Sequence, residues 1–106
     1  MGISKTNLFT LEQNQFAKLA KAFSHPARVA IVQHLVECNT CINSDLVEEL
    51  GLAQATISQH LRELKEVGLI QGSIEGTSMN YCINPIIWKE SQSTFSKLFR
   101  SFTNCC

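Results

Sequence analysis

The sequence predicts a mainly α-helical α+β domain in which one β-hairpin interrupts a series of helices. Apolar residues recur at the spacing of a helix face through most of the chain, and glycines and a proline separate these segments. One stretch after residue 68 instead reads as two short strands joined by a turn. With 106 residues, 44% of them hydrophobic, the chain supports one compact domain with a modest core.

The first two predicted helices are separated by Ser24-His25-Pro26. The first is expected from about Thr10 to Phe23, because its apolar side chains lie three or four positions apart: Phe16, Leu19, Ala20 and Phe23. Pro26 suits the first position of the second helix, with His25 or Ser24 as its cap. A second apolar stripe follows at Val29, Val32, Leu35 and Val36.

A tight turn joins the next two predicted helices. Residues 45–50 read as a short helix that Gly51 ends in a left-handed conformation. A fourth helix follows from about Gln54 to Val67, and Gly68 closes it; its apolar face is Ile57, Leu61 and Leu64. Two helices joined in this way form a helix-turn-helix, in which the second helix presents its outer face to a DNA groove.

The last third of the chain changes period. Residues 69–74 and 78–83 read as two strands joined by a Glu75-Gly76-Thr77 turn. A last helix follows Pro85, and its apolar residues are more than a small monomer covers easily: Ile87, Trp88, Phe95, Leu98, Phe99 and Phe102. This excess predicts a dimer surface, to which Phe16 and Phe23 of the first helix would also contribute.

The net charge of the sequence, and its lack of membrane and secretion signals, limit which functions are expected. Nine basic and nine acidic residues give a formal net charge of zero, so a nucleic-acid partner would need a local basic patch. No apolar run approaches the ~18 residues of a membrane span, and the N-terminus has no signal-peptide core. We therefore expect a cytoplasmic protein that is not bound to a membrane.

Three stretches together resemble a known family: "LAKAFSHPARVAIVQHL", "DLVEELGLAQATISQHLRELKEVGLI" and "GSIEGTSMNYCI". Over about residues 10–100 the chain is similar to the ArsR/SmtB family of bacterial repressors. The resemblance implies a single winged helix-turn-helix domain over residues 1–106. Its parts would be a helix-turn-helix at 44–67, a wing at 69–83, and dimerisation helices at 10–23 and 86–103. Family members are homodimers that leave operator DNA when a metal ion, metalloid or other inducer binds.

The resemblance also implies which residues contact DNA. The recognition helix would read base edges through its polar residues: Gln54, Thr56, Ser58, Gln59 and Arg62. The wing turn offers no basic residue, so phosphate contacts would come mainly from Lys18, Lys21, Arg28, Arg62 and Lys65. Ala53 stands where relatives often have a capping serine, which predicts a weaker start to this helix.

The five cysteines are an odd set in a chain without a secretion signal, which favours reduced thiols or a metal site over a disulfide framework. The family's Cys-Val-Cys-Asp-Leu motif is altered here, and the last helix has no histidine for the family's zinc site. An inducer site would therefore use Cys38, Cys41, Cys105 and Cys106. These thiols suit As(III), Sb(III), Zn or Cd. The alternative is that none of them binds a ligand.

The three histidines are expected to be structural. His25 is expected to cap or pack beside Pro26, and His34 to lie on the surface of the second helix. His60, beside the core positions of the fourth helix, is expected to pack or to bond the backbone.

The predicted function is therefore that of a dimeric, sequence-specific DNA-binding transcriptional repressor, released from its operator by a thiophilic metal or metalloid. Two alternatives remain open. A winged-helix module could bind another protein, as the zero net charge favours, or the regulator could respond to redox state rather than metal. An enzyme is not expected, because no motif supplies a cysteine with a positioned base.

Overall fold

The computed structural model describes residues 8–38, 46–73 and 80–103. Within these ranges it contains five helices and two strands. They are α1 (Leu11–Ala22), α2 (Pro26–Cys38), α3 (Leu46–Leu50), α4 (Gln54–Glu66), β1 (Ile70–Ser73), β2 (Asn80–Ile83) and α5 (Pro85–Arg100). The predicted fold class, mainly helical with one hairpin, is confirmed.

Local side-chain bonds set where α1 and α2 begin. The Gln13 backbone N–H donates to Thr10 Oγ1 at 3.0 Å, and the Thr10 N–H donates to Gln13 Oε1 at 2.9 Å. This reciprocal pair satisfies two amides that the first helical turn would otherwise leave unbonded. Pro26 opens α2 as predicted, and the Ala27 N–H donates to His25 Nδ1 at 3.0 Å, so His25 does cap this start.

A glycine with positive φ follows each helix of the helix-turn-helix. Gly51 (φ +70°) follows α3 and Gly68 (φ +90°) follows α4, in the left-handed region that glycine reaches without strain. Helix α3 is described over Leu46–Leu50, and residue 45 of the predicted helix lies outside the described residues. Helix α4 ends at Glu66, with Val67 as its C-cap.

The hairpin that follows α4 is antiparallel. Its register pairs Ile70 with Ile83 and Gly72 with Tyr81. Gly72 has φ +111°, and a side chain there would collide with the backbone carbonyl of Asn80, so this position requires glycine. The predicted turn residues 75–77 lie outside the described part of the chain.

The core lies between α2, α3, α4 and the hairpin. Ala22 of α1 also belongs to it, and Leu69 reaches it from the segment between α4 and β1. The other fully buried side chains come from the four elements: Ile31, Leu35, Leu46, Ile57, Leu61, Leu64, Ile70 and Tyr81. Ile31 was missing from the predicted stripe, and Val36, which was included, is exposed. None of the described helices is long and apolar enough to cross a membrane.

Helices α1 and α5 pack on each other through aromatic rings. The Phe95 ring lies 4.9 Å from that of Phe16 and 6.3 Å from that of Phe23, both in edge-on geometry. Lys97 Nζ lies 3.6 Å from Glu12 Oε1, which places the start of α1 beside the last turns of α5. Part of the aromatic surface predicted to join two subunits therefore packs within one chain.

A group of large apolar side chains at the ends of these two helices remains exposed. We call it the α1/α5 apolar face: Leu8, Phe9, Leu11, Leu98, Phe99 and Phe102. Leu8, Phe9 and Leu11 belong to the start of α1, and Leu98, Phe99 and Phe102 to the end of α5, the two regions that the Glu12–Lys97 contact brings together.

Candidate nucleic-acid interface

Helix α4 has a buried face and an exposed polar face. Ile57, Leu61 and Leu64 are buried in the core together with His60. Around the rest of the helix lie the residues predicted to contact DNA. Gln54, Thr56, Gln59, Arg62 and Lys65 are exposed, and Ser58 is half-buried. The sequence therefore holds one side of α4 rigidly on the core and leaves polar groups on the other.

The polar face is partly ordered by bonds along the helix. Gln54 Nε2 donates to Ser58 Oγ at 3.1 Å, and Arg62 Nη1 donates to Gln59 Oε1 at 3.0 Å. These bonds hold long side chains in defined rotamers before any partner binds. Glutamine suits the bidentate edge of adenine and arginine that of guanine, so this face has the chemistry for reading base edges in a major groove.

The start of α4 lacks a side-chain cap. Ala53 occupies the N-cap position with φ −64° and ψ 147°, and no side chain accepts a hydrogen bond from the first turn. The three-residue segment 51–53 joins α3 to α4. The expectation that Ala53 gives this helix no cap is confirmed.

Four of the five basic residues predicted to contact phosphates are exposed: Lys18, Lys21, Arg62 and Lys65. Arg28 is not one of them, because its side chain is only 11% exposed and its guanidinium bonds within the chain. Its Nε donates to His60 Nδ1 at 3.1 Å, its Nη1 donates to the Lys21 carbonyl at 2.9 Å, and its Nη2 pairs with Glu63 Oε2. The guanidinium that was expected to contact phosphate is therefore occupied within the chain.

The partner of Arg28 on α4 is a buried histidine. His60 is 7% exposed, and its ring centroid lies 4.6 Å from that of His25. Burial, followed by the neighbouring His25 and Arg28, holds the pKa of His60 below its ordinary value. The prediction that His60 packs is confirmed. Its polar partner is a side chain 32 positions away, a link for which helix periodicity gives no signal.

The helix-turn-helix itself is not basic. Helices α3 and α4 carry two basic residues, Arg62 and Lys65. They carry four acidic residues, Glu48, Glu49, Glu63 and Glu66. Glu63 is paired with Arg28, but the other three carboxylates still outnumber the two basic residues. The net charge of these two helices therefore does not favour contact with phosphate.

Only one predicted metal ligand lies in the described part of the chain. Cys38, the last residue of α2, is an exposed free thiol, and its Sγ lies 3.9 Å from His34 Nε2. Cys41, Cys105 and Cys106 lie outside residues 8–38, 46–73 and 80–103. Within those ranges, no three His, Cys, Asp or Glu side chains are grouped as a metal site would need.

Cys82 of β2 corrects the expectation that the thiols are reduced or bound to metal. This residue is disulfide-bonded. The expectation depended on the odd cysteine count and on cellular compartment, whereas a disulfide depends on whether the fold brings two thiols within bonding distance. Spacing along the chain does not show that distance.

Comparison with known proteins gives concordant matches. The sequence pattern of the bacterial regulatory proteins of the arsR family matches residues 25–71. Over 64 residues, 60% of this chain and 47% of the relative, the chain is 38% identical to the HTH-type transcriptional repressor SmtB of Mycobacterium tuberculosis. Over 67 residues it is 37% identical to an uncharacterised HTH-type transcriptional regulator of Methanocaldococcus jannaschii, covering 63% of this chain and 75% of that protein.

The fold has a close counterpart among solved structures. A crystal structure of an ArsR family transcriptional regulator superposes with a TM-score of 0.67, covering 86% of this chain and 96% of that one. The two sequences are 19% identical, so this likeness concerns the fold. The sequence match with SmtB is confined to about half of SmtB's length.

Proposed function

The chain belongs to the arsR family of bacterial regulatory proteins, and from this premise we propose that it is a transcriptional repressor whose α4 reads operator DNA. The family consists of regulators, which confirms the prediction that the chain is not an enzyme. One observation carries the proposal: α4 is fixed to the core by Ile57, Leu61 and Leu64 while its opposite side offers polar groups to solvent. A groove-reading helix needs this arrangement.

Different residues would have different roles on DNA. Gln54, Gln59 and Arg62 would bond base edges, and Thr56 and Ser58 would add shorter contacts. Lys65 would contact phosphate, with Lys18 and Lys21 as further cations. Because few cations surround α4, the affinity should fall only gently with salt, by about 0.9 log unit per tenfold salt for each phosphate contacted.

A competition experiment tests the proposal directly. A labelled duplex from immediately upstream of the protein's own gene is titrated with protein, then challenged with unlabelled copies of itself or of an equally long duplex from inside the gene. We expect the upstream competitor alone to displace the label at low excess. Equal competition by both duplexes, or no binding at low salt, would contradict sequence-specific repression.

We propose that the repressor is a homodimer joined through the α1/α5 apolar face. These side chains are exposed within a single chain, although the face is larger and more apolar than a solvated helix surface needs. A two-fold pair would bury them and set the two α4 helices about 34–36 Å apart, one DNA turn. Sedimentation at micromolar concentration should show a dimer, and a stable monomer would contradict the model of two half-sites.

For the inducer we propose a thiophilic ion, As(III), Sb(III), Zn or Cd, bound in the reduced protein by Cys38, Cys41, Cys105 and Cys106, since the disulfide of Cys82 otherwise occupies another thiol. In support, Cys38 is a free, exposed thiol at the end of α2. Helix α2 also packs on α4, so an ion at its end could shift α4. Release follows only if the ion binds the DNA-free form more tightly.

Titration of the DNA complex tests the inducer. Each ion should release DNA from the wild type, but not from Cys38→Ser/Cys41→Ser or from Cys105→Ser/Cys106→Ser. The titration is run in a reducing buffer, so that the disulfide of Cys82 withholds no thiol from the ion. If all variants release DNA at the same ion concentration, these cysteines are not the sensor.

The disulfide at Cys82 favours a second kind of regulation, by redox state. Cys82 lies in β2, opposite Gln71 of β1, so reduction would act on the wing. Operator affinity measured in dithiothreitol and in oxidised buffer should then differ for the wild type and agree for Cys82→Ser. The same affinity in both buffers for the wild type would exclude this regulation.

A second candidate function is a winged-helix module that binds a protein instead of DNA. The acidic excess on α3 and α4 favours it, and so does the removal of Arg28 from the cations available to phosphate. The competition experiment above separates the two candidates, because a protein-binding module would not distinguish the upstream duplex from the internal one.

A further inference from the structure

One side chain joins three helices at the back of the recognition helix. Arg28 lies in the first turn of α2 and contacts the carbonyl of Lys21 near the end of α1. On α4 it contacts His60 and Glu63, which are one turn apart. Each of the three guanidinium nitrogens thus has a different partner, and two of these partners are on α4. A planar guanidinium can hold several acceptors in one fixed geometry, whereas a lysine ammonium cannot.

The bond to His60 requires one protonation state. Arginine Nε is always a donor, so His60 Nδ1 must be the acceptor and cannot carry a proton. The ring is therefore neutral, with its proton on Nε2. His25 Nδ1 likewise accepts from the Ala27 N–H, and its ring meets that of His60 at an angle of 46°. Protonation of His60 would turn its acceptor into a donor facing an arginine.

We propose that Arg28 is the positioning residue of the recognition helix, and that protonation of His60 breaks its link to α4 and weakens operator binding as pH falls. This inference rests on the proposed function, since it concerns how that DNA-reading helix is held. Arg28 has no direct contact with DNA in this proposal and acts through His60 and Glu63.

Charged and titratable groups lie on several elements near His60. The turn before α2 supplies His25, α2 supplies Arg28, and Glu63 of α4 is paired with Arg28. Helix α3 offers Glu48 and Glu49, both exposed, and the described β1 has no titratable side chain. Burial, His25 and Arg28 all lower the pKa of His60.

The sign of the pH effect follows from this lowered pKa. Between the native pKa and the ordinary value of about 6.5, the unfolded chain binds a proton that the folded chain does not, so stability falls as pH falls through this range. Protonated histidines ordinarily strengthen DNA binding, because they add positive charge against phosphate. Weaker binding at low pH would therefore distinguish the link from this general effect.

The matched variants are His60→Asn and His34→Asn. Asparagine at position 60 can still accept from Arg28 Nε but cannot titrate, whereas His34 lies on α2 with its ring beside Cys38. Affinity for the labelled upstream duplex is measured by anisotropy from about pH 8 to about pH 5. We expect about tenfold weaker binding at low pH for wild type and His34→Asn, and a flat profile for His60→Asn. A profile for His60→Asn that matches the wild type overturns the proposal.

Arg28→Lys tests the positioning role at constant charge. The lysine ammonium has three donors but no planar fork to hold these three partners in one geometry. We therefore expect weaker binding near pH 8 and a smaller pH effect, while sedimentation shows the same dimer as the wild type. Wild-type affinity and pH profile in Arg28→Lys would overturn the role of Arg28.

A DNA-free measurement separates this inference from the proposed function. Unfolding by urea, at fixed protein concentration, should show that the wild type loses stability as pH falls and that His60→Asn loses less. If no variant binds DNA specifically but this difference in stability is found, the proposed function fails and the proton-sensitive link stands. If the stability curves of the two proteins run parallel, the link itself fails.

Discussion

Two regions of this molecule, the helix-turn-helix and the α1/α5 apolar face, differ in how they cover apolar residues. In the helix-turn-helix, Ile57, Leu61 and Leu64 of α4 are fully buried, and the polar residues of α4 face solvent. At the α1/α5 apolar face the pattern is reversed: Leu11 is 88% exposed, Phe99 72% and Phe102 80%. The first region is complete within one chain, whereas the second has apolar surface left over.

This difference indicates which properties need a second subunit. The orientation of α4 is set within one chain by core packing and by the bonds of Arg28 to His60 and Glu63. The spacing between two reading helices cannot be set in this way, because it depends on what covers the α1/α5 apolar face. At roughly 25 cal/mol per Å² of buried apolar surface, such large side chains would contribute strongly to association.

The largest expected effect comes from charging the apolar face. Phe99→Glu/Phe102→Glu should prevent dimerisation, because a carboxylate would have to be buried without a partner. Losing the second half-site removes the gain from linked binding, so operator affinity should fall by roughly 10²–10⁴-fold. Sedimentation measures the loss of the dimer, and anisotropy measures the loss of operator affinity.

Gln92→Glu/Ser93→Glu is the matched control, since it adds the same two charges at exposed polar positions of α5. It should lower affinity only slightly, through repulsion of phosphate. If the control and the phenylalanine variant lose affinity equally, the effect is electrostatic and the apolar face is not the dimer contact.

Local signals explain why so much of the fold could be predicted from the sequence. Thr10, Pro26, Gly51 and Gly68 determine helix ends through their own backbone preferences or nearby bonds, and these act within a few residues. Contacts between distant residues leave no such signal. The pairing of Phe95 with Phe16, which removes part of the predicted dimer surface, appears only once α1 and α5 are packed.

In the candidate site too, local features could be predicted from the sequence, whereas contacts between distant residues could not. The polar face of α4 could be predicted because helix periodicity separates it from Ile57, Leu61 and Leu64. Arg28 was assigned to phosphate because a basic residue near a helix-turn-helix is usually a cation in solvent. Its burial against His60 and Glu63 depends on how α2 packs on α4.

A pair of leucine substitutions compares how much a buried and an exposed leucine contribute to the stability of one chain. Leu61→Ala in the core should lower the free energy of unfolding by about 2–5 kcal/mol, through lost burial and the cavity left behind. Leu11→Ala removes the same atoms from an exposed position and should change monomer stability by less than about 0.5 kcal/mol. Denaturation at low protein concentration, where dimers dissociate, makes this comparison. If both variants lose the same free energy of unfolding, Leu11 is packed within the single chain as Leu61 is, and the contrast between the two regions is wrong.

Two substitutions on α4 should separate base reading from charge. Gln59→Ala should cost about 1–3 kcal/mol on the operator and much less on unrelated DNA, because a base contact carries the sequence preference. Lys65→Ala should weaken binding to both duplexes alike and reduce the salt slope by about one phosphate. Full operator selectivity in Gln59→Ala would mean that this residue does not read a base.

The smallest expected effect concerns the start of the recognition helix. Thr10 caps α1, and Asn84 Oδ1 accepts from the Ile86 and Ile87 N–H groups of α5 at 3.0 and 3.3 Å. Ala53 has the extended backbone of an N-cap but no side-chain acceptor, so Ala53→Ser should add about 1 kcal/mol to the free energy of unfolding. The same change at Ala55, already inside α4, cannot cap and should be neutral or slightly destabilising. Urea denaturation of both variants decides the matter: equal stability would mean that the first turn of α4 is satisfied by solvent and gains nothing from a hydroxyl.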